Sequence, residues 1–137
     1  MPNLNVYLIF NGNAREAMNF YKDAIGGELQ VMSVGDSPMK EKMPPEMHSQ
    51  VMHARLQNDA LVLLASDNMG GPDVTPSTSV SLALNVNNVE EAEKAFAKLS
   101  EGGQVTMPLS ETFWATRYGQ VTDKYGFQWL VNLEKKM

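Results

Sequence analysis

Chemistry in this chain has few residue types to draw on. Its 137 residues include two histidines and no cysteine, which excludes a thiolate zinc site, a cysteine nucleophile and a disulfide framework. His48 and His53 lie five positions apart. On an extended strand such a pair points to opposite faces and makes a poor chelate. His53 falls in an apolar, strand-like run whose phase predicts Val51, His53 and Arg55 on one face. There its imidazole is either a hydrogen-bond partner or acid/base of a cavity, or a satisfied sheet histidine. Asp67 ends a strand in a Ser-Asp turn and Asp123 precedes Gly126 in another, so each carboxylate suits turn capping as well as a site role. Tyr7, Trp114, Arg117 and Tyr118 complete the candidates. Tyrosine and tryptophan offer an apolar face with one polar atom, and Arg117 can pair with an anionic ligand.

The partner of such residues is a small molecule rather than nucleic acid. Sixteen acidic residues against eleven scattered basic ones give a net charge of −5, whereas nucleic-acid binding needs clustered Lys and Arg to displace phosphate counterions. Lys135 and Lys136 read as a solvated tail. The N-terminus carries no basic n-region, no long apolar run and no cleavage pattern, and no stretch is long enough to span a bilayer. The expected location is the cytoplasm, with no membrane partner.

The elements that must position these side chains follow from pattern. Leu4 to Phe10 is β-prone. Asn13 is placed to cap a helix with Glu16 completing a capping box, and Ala17, Phe20, Tyr21, Ala24 and Ile25 follow at helical spacing up to Gly26 and Gly27. Phe20 and Tyr21 are core residues on this stripe. Glu28 to Val34 reads as a strand and the Pro- and Met-rich stretch Gly35 to Met47 as a loop, either a flap over a cavity, part of a dimer contact or plain surface. Gln50 to Leu56 and Ala60 to Ala65 form a hairpin across Gln57, Asn58 and Asp59.

After a connection from Asp67 to Ser79, rich in Gly, Pro, Ser and Thr, the pattern restarts. Ser79 to Val86 is strand-like, Asn88 with Glu91 repeats the cap, and Val89, Ala92, Phe96 and Leu99 repeat the stripe before Gly102 and Gly103. Strands follow at Gln104 to Pro108, Thr112 to Val121 and Phe127 to Leu133. The pairs Asn13 with Asn88, Ala17 with Ala92 and Tyr21 with Phe96 share one offset. The predicted fold is therefore α+β, one domain over residues 1–137 made of two β-α-β-β-β modules of mostly antiparallel strands, the first over about 1–67 and the second over about 79–137.

Three segments carry a family resemblance. VYLIFNGNAREAMNFYKDAIGGE, VMHARLQNDALVLLASDN and FWATRYGQVTDKYGFQW together resemble the PhnB-like branch of the vicinal oxygen chelate superfamily, the glyoxalase, bleomycin resistance and extradiol dioxygenase fold. The resemblance implies that the two modules form a glyoxalase-like cup, paired within one chain or exchanged between two, so that a homodimer is a natural outcome. It also implies a divalent metal held by His, Gln or Glu from the first and last strands of each module, polarising two substrate oxygens.

Alignment of the helix starts places the first-strand ligands near Val6 and Ser81, counting on from Gly126 places a last-strand ligand near Leu130, and the fourth falls near Leu63 or Leu64. Neighbouring Asn5, Tyr7, Leu82, Trp129 and Val131 add no His or Glu. No metal and no cofactor is therefore expected. The leading functional reading is a small-molecule-binding protein that either sequesters its ligand or catalyses an isomerase or lyase step. The ligand-contact candidates are Tyr7, His53, Trp114, Arg117 and Tyr118. A metal-dependent lyase or dioxygenase, and a non-catalytic dimeric interaction module, are the alternatives. A methyltransferase would need a glycine-rich strand-to-helix loop, which is absent, and a different architecture.

Overall fold

The computed structural model describes residues 2–135. Two compact units divide the chain between Val74 and Thr75, and each is a β-α-β-β-β module. The first comprises β1 (Val6–Phe10), α1 (Ala14–Ile25), β2 (Glu28–Ser33), β3 (Val51–Gln57) and β4 (Val62–Asp67). The second comprises β5 (Ser81–Asn85), α2 (Val89–Ser100), β6 (Gln104–Ser110), β7 (Ala115–Thr122) and β8 (Gln128–Glu134). Their sheets have the orders β1-β4-β3-β2 and β5-β8-β7-β6. In each, the first strand runs parallel to the last and the other pairings are antiparallel. A single shift carries β1 onto β5 and α1 onto α2 residue for residue, so the duplication read from the sequence is a duplication of elements.

Each helix packs on one face of its own sheet through small residues. Ala14, Ala17, Met18, Tyr21 and Ala24 form the buried stripe of α1, and Ala92, Ala95, Phe96 and Leu99 that of α2. The spacing of three and four is the helical period. Phe20 is only half-buried, its ring edge-on to Tyr21 at 5.7 Å. Beneath α1 the sheet supplies Leu8, Phe10, Ala54, Leu56, Leu63 and Ala65. Beneath α2 it supplies Val121, Trp129 and Val131. At Gly119 a side chain would stand 2.6 Å from Phe96 Cε1 and 2.9 Å from Leu109 Cα. Absence of a side chain is what lets helix and strand approach there.

Three local expectations are corrected. Asn13 makes no side-chain capping bond to α1. Asp67 Oδ1 takes that role, accepting from the backbone N–H of Ala14 at 2.9 Å and of Gly12 at 3.1 Å. Val51 does not share a face with His53 and Arg55: Ser33 pairs with Val51 and Met32 with His53, so Met52 is an extra residue, and this bulge turns Val51 into the core. The loop from Gly35 to Met47 contains 3-10 turns at Lys40–Lys42 and Pro45–Met47, with another just before it at Val34–Asp36. Of the terminal lysines, Lys135 forms an exposed ion pair with Glu111 at 3.3 Å, and Lys136 lies outside the described residues. Among the described residues no helix is long and apolar enough to cross a membrane.

Candidate functional site

The helix-free face of each sheet is where side chains are left for a ligand. In the first module, register fixes its composition. Tyr7 pairs with Leu64, Leu64 with Arg55 and Arg55 with Gln30, which makes one row across four strands. Ile9 with Ser66, and His53 with Met32, lie in the next row. Paired residues project to the same side of a sheet, and neighbours along a strand to opposite sides.

Tyr7 and His53 meet across this face, with ring centroids 6.4 Å apart. Arg55 donates from Nε to Gln57 Oε1 at 2.7 Å, which orients the guanidinium along β3. Polar residues surround a shallow depression of about 430 Å³ at the β3–β4 end of the same module, lined by Asn5, Gln57, Asn58 and Asp59 among others. It contains none of the sequence candidates.

In the second module Trp114 and Tyr118 come together. Their rings stand edge to face at 5.3 Å, and Phe113 extends the array with its centroid 4.8 Å from that of Trp114. Phe113 is 88% and Trp114 47% exposed. The hydroxyl of Tyr118 accepts from Gln120 Nε2 at 3.0 Å. Beside Tyr118 in register is Asn132 on β8, which donates from Nδ2 to Asn85 Oδ1 at 3.1 Å. Its own carbonyl, Oδ1, is buried with no hydrogen-bond partner. Gln120, Asn132 and Asn85 were not among the sequence candidates. Alternation along β7 from Tyr118 reaches Gln120, whereas Asn132 and Asn85 follow only from the cross-strand register.

Arg117 is separated from this group. It pairs with Leu133 and alternates with Tyr118 along β7, so it projects to the opposite side, and its Nη1 donates to Thr116 O at 2.8 Å. His48 is a loop residue whose Nε2 donates to Lys40 O and Met43 O, at 3.0 and 3.1 Å. Both acceptors are carbonyls, so this nitrogen carries the proton. Asp67 and Asp123 are buried turn-holders. Asp67 Oδ2 accepts from Val51 N at 2.8 Å, and Asp123 accepts from the backbone of Tyr125 and Phe127 and from Trp129 Nε1.

Neither a divalent metal nor a nucleotide phosphate fits this geometry. The positions expected to hold a divalent ion carry Val6, Leu63, Leu64, Ser81 and Leu130. These are hydrocarbon and hydroxyl groups where a borderline or hard cation wants imidazole or carboxylate. Among the described residues no group of three or more His, Asp or Glu side chains is placed to hold a metal. The donor set does not fit the superfamily's metal. Nor does the strand-turn-helix from β1 into α1 suit a nucleotide phosphate. The N–H groups that would cradle one are taken by the chain's own Asp67 carboxylate.

A fold of paired β-α-β-β-β modules with open sheet faces defines the glyoxalase-like class. The model of the family described as 3-demethylubiquinone-9 3-methyltransferase matches residues 2–132, and the chain belongs to this family, the PhnB-like branch of the vicinal oxygen chelate superfamily. It is 33% identical to Protein YjdN of Escherichia coli strain K12 over 145 residues, covering 99% of this chain and 97% of that protein. It is 42% identical to the solved structure of protein PA1353 from Pseudomonas aeruginosa, with a TM-score of 0.87 over 99% of this chain and 100% of the other. A putative 3-demethylubiquinone-9 3-methyltransferase, PhnB protein, from Bacillus cereus is 26% identical with a TM-score of 0.76, covering 96% and 99% of the two chains. At the level of fold alone, the similarity extends to a glyoxalase/bleomycin resistance protein/dioxygenase family enzyme from Burkholderia phytofirmans (11% identical, TM-score 0.62).

Proposed function

We propose that this chain binds a small organic molecule on the helix-free faces of its sheets without the metal usual in its superfamily. Tyr7 and His53 are contacts in the first module, and Trp114 and Tyr118 in the second. The observation that carries this reading is the Phe113–Trp114–Tyr118 array. Exposed, edge-packed aromatics lie there beside a partnerless amide carbonyl on Asn132, the mixture of apolar surface and a few aimed polar groups that ligand sites use. Methyl transfer, the activity in the family's description, finds no support in the βα turn already occupied by Asp67. A bound ligand that is turned over rather than sequestered would meet His53 as the acid/base, in an isomerase or lyase step.

A homodimer is the proposed assembly, because each sheet has its own helix on one face only and the other face gains from cover. The test of the binding reading is a thermal-shift screen of anionic, neutral and cationic organic compounds on protein dialysed against EDTA. Stabilisation that survives the chelator, and that is lost in a Trp114→Ala, Tyr118→Ala variant of normal melting temperature, supports the reading. Stabilisation only after a divalent metal is restored overturns it.

A further inference from the structure

The first module carries three polar heads on one sheet face that its own atoms leave unanswered. His53 makes no hydrogen bond through its ring among the described residues, and neither does the Tyr7 hydroxyl. Among the described residues the terminal nitrogens of Arg55 have no acceptor, and its side-chain bond is from Nε to Gln57. Lys135, in the second module, pairs with Glu111; Arg55 makes no such pair among the described residues. Arg55 is nonetheless half-buried, in a chain with five more acidic than basic residues. Its outer N–H groups are therefore left for solvent or a ligand.

We infer that Arg55 binds the oxyanion head of an organic anion, a carboxylate or phosphonate, whose body lies against His53 and Tyr7. This inference rests on the small-molecule reading above and names the charge of the ligand. Arg55 and His53 are two residues apart on β3 and so about 6.6 Å apart along it, and the bond to Gln57 holds the guanidinium on the side away from His53. With Nε held by Gln57, the guanidinium presents its outer N–H groups as a fork, which matches two oxygens of one anion. His53, in the neighbouring row with its ring 6.4 Å from that of Tyr7, meets the body of the ligand. Leu64, Ile9 and Met32 provide an apolar floor in the same rows, and the Tyr7 ring provides a wall for the body of the ligand. The other charged group whose register brings it to this face is Glu28, paired with Gln57 and diagonal to Arg55, with no ion pair between them. Gln57, the cross-strand partner of Glu28, takes the Nε bond of Arg55.

The probes are benzoate and phenylphosphonate, with benzamide as the uncharged isostere, titrated into the full chain at low salt and followed through the His53 ring signals by NMR. At least one anion is expected to bind tenfold or more tightly than benzamide, and the stronger of the two identifies the head. Arg55→Gln removes that preference, Arg55→Lys retains part of it, and Arg117→Gln leaves it unchanged. The amide spectrum of each variant shows whether it remains folded. Equal affinity for benzamide and both anions, or a preference that persists in folded Arg55→Gln, overturns the inference. A screen in which only neutral or cationic compounds stabilise the protein overturns it and leaves the binding reading standing. A screen in which nothing binds removes both.

Discussion

Asp67 Oδ1 accepts the backbone N–H of Ala14 at 2.9 Å, so a carboxylate at the end of β4 caps a helix that begins across the sheet. The same side chain holds Gly12 and, through Oδ2, Val51. One buried residue thus fixes the turn into α1, the end of β4 and the start of β3. A carboxylate at a helix N-terminus also meets the favourable end of the helix dipole. Asp67→Ala strands three backbone donors, two of them in buried surroundings, and is expected to cost about 3 kcal/mol or more in urea unfolding. Asp67→Asn turns a donor toward Val51 N–H and is expected to cost about 1–3 kcal/mol. A loss below about 0.5 kcal/mol in both variants, within the range of ordinary surface substitutions, would remove this role.

Gly119→Ala tests the contact between α2 and β7. The new methyl group meets the Phe96 ring and the Leu109 backbone, and overpacking of this kind costs about 1–3 kcal/mol. Adding Phe96→Leu should recover part of the loss, not all, because Leu109 presents backbone that cannot swing aside. Full recovery would mean that the ring alone sets the spacing.

The two tryptophans are separable reporters. Trp129 is buried, with its indole N–H on Asp123, and Trp114 is half exposed. Acrylamide should quench mainly Trp114, and Trp114→Phe should leave a blue-shifted emission. If a ligand sits on the Trp114–Tyr118 pair, its effect on fluorescence disappears in Trp114→Phe and is indifferent to prior EDTA treatment. A signal retained in that variant would place the ligand elsewhere.

His48 gathers the loop by donating to Lys40 O and Met43 O, while Gly35 N–H bonds to His48 O. His48→Ala should therefore free Lys40 and Lys42, both exposed, for trypsin. Cleavage after these residues is expected to accelerate several-fold, with a change in global stability of about 1 kcal/mol or less. Unchanged cleavage would show that the 3-10 turns hold the loop without the histidine.

Local signals in the sequence carried the architecture far. Helical spacing, paired glycines and the shared offset of Asn13 and Asn88 gave both modules, because each is a short-range pattern that tertiary structure left intact. What misled was also local. Asn13 with Glu16 has the same spacing as Asn88 with Glu91, yet only the second pair behaves as a capping box, with Glu91 N–H on Asn88 and Asn87 N–H on Glu91. The first lost its place to a buried carboxylate distant in sequence, which no local window contains. The bulge at Met52 likewise reversed the side of Val51 through an unpaired residue that alternation cannot reveal. Of the residues proposed as ligand contacts, Tyr7, His53, Trp114 and Tyr118 stood out in the sequence by residue type, and the structure shows Tyr7 near His53 and Trp114 near Tyr118. Asn132 and the surroundings of Arg55 depend on cross-strand register, and Arg117 was grouped by proximity in sequence with residues that face the other way.

The unequal caps bear on the order in which the halves are made. The bond that closes the start of α2 joins residues three apart, so it can form within a single turn of chain as soon as that turn exists. The bond that closes α1 joins residues 53 apart and must wait for β4 to arrive, at the entropic cost of a long loop. Two modules built on one plan therefore differ in contact order where each helix begins. Substitutions at Asn88 should slow folding, and substitutions at Asp67 should chiefly hasten unfolding.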